Sequence, residues 1–305
     1  MKILVTGGCG YVGSVLVPKL MAVGHEVTVV DTMWFGNCLL GTDCTFVEHD
    51  IRDGVDCRGF DAVIHLAAVA NDPCGDLDPK LTWEVNALAT MQLADAAARA
   101  GVKHFIYASS GSVYGVRPEA KVTEDLPCVP LSEYNKTKMV AERVVLSYSD
   151  RMVVQVLRPA TVCGRSPRQR LDVVVNMLTA QAMTKGVITV FGGEQVRPNI
   201  HIEDMTDLYL FMLDNPQHVG VFNAGFENLS VNDIAKKVQL FCGGEITVTP
   251  SNDNRSYRQC SDKLLAAGWR PCHTVDEAIQ NLAWSFEHGY LRDEDAHYNL
   301  RSMPR

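Results

Sequence analysis

Thr6-Gly7-Gly8-Cys9-Gly10-Tyr11-Val12-Gly13 is the stretch that decides the reading of this chain. Lys2 to Thr6 before it reads as a short buried strand, and Leu16, Leu20 and Val23 after it follow a helical period. Gly24 stops that helix, and Glu26 to Val30 reads as a second strand ending in Asp31. Strand, glycine loop, helix, strand and acid follow within about 30 residues, the context that makes such a loop a dinucleotide fingerprint. Gly7 permits the tight turn, Gly10 lets backbone N–H groups reach a pyrophosphate, and Gly13 lets the helix pack on the strand. The helix start supplies partial positive charge. Asp31 is expected to accept from both adenosine ribose hydroxyls. A carboxylate there repels a 2′-phosphate and no arginine follows it directly, so the loop reads as binding NAD rather than NADP.

Moving outward, Cys44 to Val47 reads as a third strand, with Asp50 and Ile51 in the loop beyond it. Those two are placed to meet an adenine, although Asp50 suits an ordinary turn equally well. Asp61 to Leu66 is a fourth strand, and Leu66, Ala67 and Ala68 at its end are small enough to leave room for ribose and phosphate. His65 reads as a packed residue. Pro79 to Ala100 is predicted to be one long helix, with Asn86 either bracing the next strand end or exposed.

Lys103 to Ala108 is a strand that delivers Ser109-Ser110-Gly111-Ser112-Val113-Tyr114-Gly115. Ser132 then caps a helix on which Tyr134 and Lys138 stand four apart, on one face. A hydroxyl at a strand end facing a Tyr/Lys pair is a proton-transfer device. The ammonium is expected to favour phenolate and lower the phenol pKa. Met152 to Leu157 is a sixth strand, ended by Arg158-Pro159. This alternation implies an α/β fold with a Rossmann-type doubly wound parallel sheet.

The remaining pattern is different. Thr161 to Arg170 reads as a basic loop, followed by a helix from Leu171 to Met183, an extended segment from Arg197 to Asp204, a second basic loop around Arg255 and Arg258, and a polar, loosely held tail beyond Arg292. The expected division is residues 1–160 for the cofactor, with a return near 187–224, and a smaller, discontinuous C-terminal α/β unit of 161–186 and 225–305 for the substrate. Loop arginines in a chain of net charge −8 read either as a diphosphate pocket or as solvated surface. That charge argues against nucleic acid or an anionic membrane surface. Ten scattered cysteines, none in a Cys-x-x-Cys pair, read as reduced thiols of a cytoplasmic protein rather than disulfides or a metal site.

Together, the glycine loop, His65-Leu66-Ala67-Ala68, Ser109 through Gly115, Tyr134 with Lys138, Leu157-Arg158-Pro159, Arg197 through Asp204 and Gly268-Trp269-x-Pro271 resemble the extended short-chain dehydrogenase/reductase superfamily. The branch resembled is that of nucleotide-sugar epimerases and dehydratases, similar to UDP-glucose 4-epimerase. The resemblance implies Ser110, Tyr134 and Lys138 as the catalytic set. It implies a cofactor site of Gly7, Gly10, Tyr11, Val12, Asp31, Asp50, Ile51, Leu66, Ala67, Ala68, Asn86, Ser109, Tyr134, Lys138 and Pro159. The nucleotide sugar would be held by Ser110, Ser112, Asn176, Arg197 and either Arg255 or Arg258. A homodimer through the helices at 79–100 and 132–149 is implied as well. Two positions depart from the branch. Gly111 and Ser112 stand where its 4,6-dehydratases carry an acidic pair, which disfavours that dehydration, and Cys163 stands where a tyrosine or asparagine is usual. The implied activity is NAD-dependent 4-epimerisation through a 4-keto sugar. A nucleotide-sugar 4-dehydrogenase or a 4-keto reductase or dehydratase is the alternative. A non-catalytic NAD-binding regulator would have no need of all three catalytic residues.

Overall fold

Alternate residues of the first strand bury to opposite sides, and this sets the layers. In the computed structural model, which describes residues 1–251 and 256–303, Ile3 and Val5 join one apolar cluster and Leu4 another. The strand is β1 (Lys2–Thr6), followed by α1 (Gly13–Ala22), β2 (Glu26–Asp31), β3 (Thr45–Glu48) and β4 (Ala62–His65). Then come α2 (Asp72–Leu77), α3 (Pro79–Trp83), a wide π turn (Glu84–Ala89) and α4 (Thr90–Ala100). The chain continues through β5 (His104–Ala108), α5 (Glu133–Leu146) and β6 (Val153–Pro159). These six strands and the later β10 (Gly220–Ala224) form a seven-stranded parallel sheet in the order β10-β6-β5-β4-β1-β2-β3. One face packs on α1, the other on α4 and α5. Strands buried on both faces need the continuous apolar runs seen here.

The second half is built around its own core. Its elements are β7 (Thr161–Cys163), α6 (Val174–Lys185), β8 (Val187–Phe191), β9 (Val196–His201), α7 (Ile202–Asp214), β10, β11 (Glu227–Ser230), α8 (Val231–Cys242), β12 (Glu245–Thr249), α9 (Asp262–Ala266), α10 (Val275–Glu287) and α11 (Asn299–Ser302). Val175, Leu178, Ile234, Val238 and Ile279 from three of these helices pack together with β8. The chain re-enters the large sheet with α7 and β10, later than the expected return near 187, because β8 pairs with β12 instead.

Three expectations are corrected here. Thr161–Cys163 is a strand, not loop, since β9 lies beside it with Val162 opposite Ile200. The helix expected over 79–100 is interrupted by the π turn that carries Asn86. The tail is docked: Leu171 N donates to His297 O at 2.8 Å, Arg168 Nη2 to Asn299 Oδ1 at 2.6 Å, and Met303 is buried in the same core cluster as Leu4. Its partners lie over a hundred residues away, so its polar composition did not reveal them.

The carboxyl ends of β5 and β6 are tied to α5 by a buried polar network. Glu142 accepts from Arg158 Nε at 2.9 Å and Nη2 at 2.7 Å, and from the Ser109 hydroxyl. Arg158 also donates to Tyr114 Oη at 2.6 Å, and that phenol donates to Asn223 Oδ1 at 2.8 Å. Both members of the ion pair are almost fully shielded from water. Removing one partner strands a buried charge, so Glu142→Ala is expected to cost about 3–5 kcal/mol of stability. The check is a lowered midpoint in urea unfolding, and a loss below about 1 kcal/mol would show that the pair behaves like a surface bridge.

Candidate active site

The carboxyl ends of the parallel strands open into one cavity of about 890 Å³, the place where doubly wound sheets bind ligands. On one side lies the glycine loop. Gly7 has φ +75°, and a Cβ there would sit 2.5 Å from Ala67 N. The turn and its close approach to the β4 end therefore both require glycine. A Cβ on Gly13 would sit 2.5 Å from Gly8 O, so the first turn of α1 lies directly on the loop. Gly10, Tyr11, Val12 and Gly13 line the cavity, which presents the positive end of α1 to it. Asp31 stands at the end of β2, where Oδ2 accepts from Cys9 N at 2.9 Å and Oδ1 from Met33 N at 2.7 Å. Burial pushes its pKa up, and those backbone bonds pull it back. A glycine cradle and a helix start that donate, with a fixed carboxylate that accepts, are the set that an NAD needs.

Asp50, Ile51, Leu66, Ala67, Ala68, Ser109, Ser110, Ser112, Tyr134 and Pro159 line the same cavity. Asp50 is also a turn acid. Its side chain caps the next turn through Arg52 N at 2.9 Å and pairs with the Arg52 guanidinium at 2.8 Å, which holds its pKa low. Asn86 does not brace the serines. Its carboxamide holds the loop after β4, accepting from Val69 N at 2.8 Å and donating to Val69 O at 3.0 Å. His65 is packed as expected, with Thr6 Oγ1 at 2.6 Å and Thr90 Oγ1 at 2.8 Å, and burial keeps it neutral to about pH 3.

Ser110 begins the short turn Gly111–Tyr114, and its hydroxyl lies 2.7 Å from Ser112 Oγ and accepts from Ser112 N at 3.2 Å, in the cavity that Tyr134 also lines. Ser132 caps α5, accepting from Asn135 N at 3.2 Å, so the cap predicted for this helix orients its first turn. Lys138 follows one turn later but is not at the phenol oxygen. Its Nζ donates to Ala108 O at 2.8 Å and lies 5.9 Å from the centre of the Tyr134 ring. Burial pushes the Lys138 pKa down to about 7, opposed by Glu142. The Tyr134 pKa is not lowered either. Burial and then Asp72 push it up to about 12, opposed by the Ser110 hydroxyl and by Arg170. The expected effect of the ammonium fails because Lys138 is spent on a strand-end carbonyl and is itself desolvated.

The far wall comes from the smaller half. Arg197, on β9, reaches the cavity. Asn176 does not. Its Oδ1 accepts from Gly164 N at 3.0 Å, and its Nδ2 donates to Arg170 O at 2.8 Å and Tyr11 Oη at 3.0 Å. It is fully buried and shapes the 164–170 loop rather than meeting a phosphate. Arg258 is exposed and away from the cavity wall, and Arg255 lies outside the described residues. Residues not singled out by the sequence also reach the wall, among them Asp72, Tyr209, Tyr257 and Tyr298. Arg168 and Arg170 reach it as well, and their basic loop was the one visible signal. Arg168 stacks on Phe35 with 3.9 Å to the ring centre, and Arg170 pairs with Asp172 at 2.8 Å.

The model of the NAD dependent epimerase/dehydratase family matches residues 3–225. A UDP-glucose 4-epimerase of Lactobacillus helveticus is 29% identical, across 94% of this chain and 97% of its own length. The solved UDP-glucose 4-epimerase of Thermus thermophilus, in complex with NAD, superposes with a TM-score of 0.86 at 28% identity, covering 94% of this chain and 99% of that one. A UDP-glucuronic acid 4-epimerase of Bacillus cereus, in complex with UDP-glucuronic acid and NAD, gives 0.85 at 26% identity, over 95% and 100%. With the glycine cradle, the Asp31 carboxylate and the Ser110–Tyr134 pair at one cavity, and a family match over most of its length, the chain belongs to the NAD dependent epimerase/dehydratase family.

Proposed function

We propose that this protein interconverts nucleoside-diphosphate sugars epimeric at C4. The observation that carries the reading is that Ser110 and Tyr134 line one cavity together with the glycine cradle and Arg197. NAD, when bound, supplies a reversible hydride acceptor. Tyr134 takes the proton of the sugar 4-hydroxyl and returns it, and Ser110 holds the same oxygen in place. Lys138, whose Nζ donates to Ala108 O, would hold the nicotinamide ribose. Arg197 holds the diphosphate, and β7, α6, β8 and β9 with the segments after β10 form the substrate side. Gly111 and Ser112 have no acid–base capacity at neutral pH, which favours epimerisation over a dehydration that must also move protons at C5 and C6.

Incubation with a panel of nucleotide sugars, followed by NMR, tests this. An isomeric product formed without added cofactor is expected. Net accumulation of NADH would favour the dehydrogenase reading instead. Tyr134→Phe keeps the ring and the fold but removes the base, so turnover is expected to fall by about 10²–10⁴-fold. In the parent, kcat rises with pH as the phenol loses its proton, and the Phe variant should lack that limb. A folded, NAD-loaded Phe variant of near-parental kcat would show that Tyr134 is not the base.

Arg197→Ala is expected to cost about 1.5–3 kcal/mol of nucleotide-sugar affinity while NAD content is unchanged. Titration calorimetry with the free nucleoside diphosphate reads it, and equal affinities would make Arg197 a surface charge. The protein is further proposed to be a cytoplasmic homodimer. Trp83, Leu88 and Met91 are exposed apolar side chains along residues 83–91, on the segment expected at the interface. Among the described residues no helix is long and apolar enough to cross a membrane, and the ten cysteines are unpaired thiols. Light scattering should give a mass twice that of the chain, reduced to one chain by Leu88→Glu with Met91→Glu.

A further inference from the structure

Arg168 is a buried guanidinium for which the protein supplies no counter-ion. It is 4% exposed, and among the described residues no ion pair engages it. Asp172, a short way along the chain, is taken by Arg170 at 2.8 Å. Of the Arg168 donors, Nη2 makes a short bond to Asn299 Oδ1 at 2.6 Å, Nη1 a long one to Gln169 O at 3.4 Å, and Nε has no partner. The Phe35 ring covers one face of the guanidinium, with 3.9 Å to the ring centre. Burial and then the Arg170 charge push its pKa down to about 10, so it stays charged at neutral pH. A charge taken out of water without a partner is unfavourable until an anion joins it.

The loop that carries Arg168 is docked on the start of α1. Ser166 Oγ donates to Tyr11 O at 2.7 Å and lies 2.8 Å from Ser14 Oγ, and Arg168 N donates to Ser14 Oγ at 3.2 Å. From that turn the side chain reaches Phe35, in the loop just beyond Asp31. The guanidinium therefore stands between the α1 start and the end of β2, where a dinucleotide places its diphosphate and its adenosine ribose. Arg168 lines the cavity together with Gly10, Asp31 and Phe35. The tail closes its other side, since Asn299 holds Nη2 and is itself fixed by donating N to Asp172 Oδ2 at 3.0 Å.

We propose that Arg168 clamps the diphosphate of NAD from the side opposite the glycine loop, so that the cofactor is held by both halves of the molecule. The helix start offers only partial positive charge. Every arginine that lines the cavity comes from beyond β6, and no lysine lines it. Of these arginines, Arg170 is matched by Asp172, Arg301 by Asp295, and Arg197 stands on β9. Arg168 is the one whose backbone is bonded to the α1 start. Phe35 and the tail shield it, so its pairing with a phosphate forms away from bulk water, where a charge-assisted bond is strong. The diphosphate of a nucleotide sugar has the same chemistry. The docking of the Arg168 loop on α1, rather than on β9, assigns the clamp to the cofactor.

The inference concerns the cofactor and holds whichever sugar is the substrate, so its test reads NAD retention rather than turnover. The full-length protein is loaded with ¹⁴C-labelled NAD, and release into excess unlabelled NAD is followed by filtration. Arg168→Met removes the charge and keeps the length, and release is expected to quicken by about 10–100-fold, the loss of one charge-assisted bond. Arg168→Gln keeps an amide for Asn299 and serves where the Met variant does not fold, with the same expectation. The charge removed has no partner in the protein, so the urea midpoint of the NAD-free chain should not fall in either variant. UDP should bind the NAD-loaded variants as it binds the parent. A parental release rate in either folded variant overturns the proposal. A lowered NAD-free midpoint overturns it too, by making Arg168 a support of the tail, and weakened UDP binding overturns it by moving the charge to the nucleotide sugar. A failure to find a sugar substrate bears only on the proposed function and leaves these results standing.

Discussion

The geometry of the candidate site depends on one buried carboxylate. Glu142 binds the Arg158 guanidinium through both of its oxygens and takes the Ser109 hydroxyl as well, so one side chain fastens α5 to the ends of β5 and β6. Tyr134, Lys138 and Glu142 recur every four residues along one stripe of α5. The lowest of the three is the anchor, the middle one grips the β5 end through Ala108 O, and the highest lines the cavity with Ser110. An ion pair of this kind is weak evidence for net stability, because desolvation offsets much of its attraction. Its role here is register. A helix that slid or turned by one residue would take the phenol away from the strand-end serine.

What the sequence disclosed is what local chemistry dictates. Gly7, Gly10 and Gly13 need only their own neighbours to explain them, and the turn, the helix start and Asp31 all lie within one βαβ unit. Ser132 as a cap and the four-residue spacing of Tyr134 and Lys138 are local in the same way. Glu142 continues that spacing by one turn, but its partner Arg158 stands on another element, and the sequence reading did not single it out. What stayed hidden depends on distant segments. Asn176 is a polar residue on a helix whether it meets a phosphate or, as here, Gly164 and Tyr11. Asp72 looks like a turn acid until α2 is laid against α5. The polar tail looked unanchored because Arg168 and Asp172, which hold Asn299, stand far back in the chain.

The electrostatics carry the same lesson. Motif reasoning placed a lysine charge next to a phenol and expected an acidic tyrosine. In the folded protein burial outweighs that pairing for both groups, raising the phenol to about 12 and lowering the lysine to about 7. Desolvation penalises whichever form is charged, so a buried acid and a buried base move in opposite directions. The charged groups that do act on the phenol are Asp72 and Arg170, one from each half of the molecule. The site is thus tuned from both sides of the cavity.

The central claim is that one sugar carbon loses its hydrogen as hydride and regains it on the other face without leaving the cavity. A nucleotide sugar deuterated at C4 tests this directly, with the product epimer isolated and its label located by NMR. The account predicts that deuterium is retained at C4 of the epimer, with no label in water and no free reduced cofactor. Loss of the deuterium to solvent, or its appearance at another carbon, would contradict it.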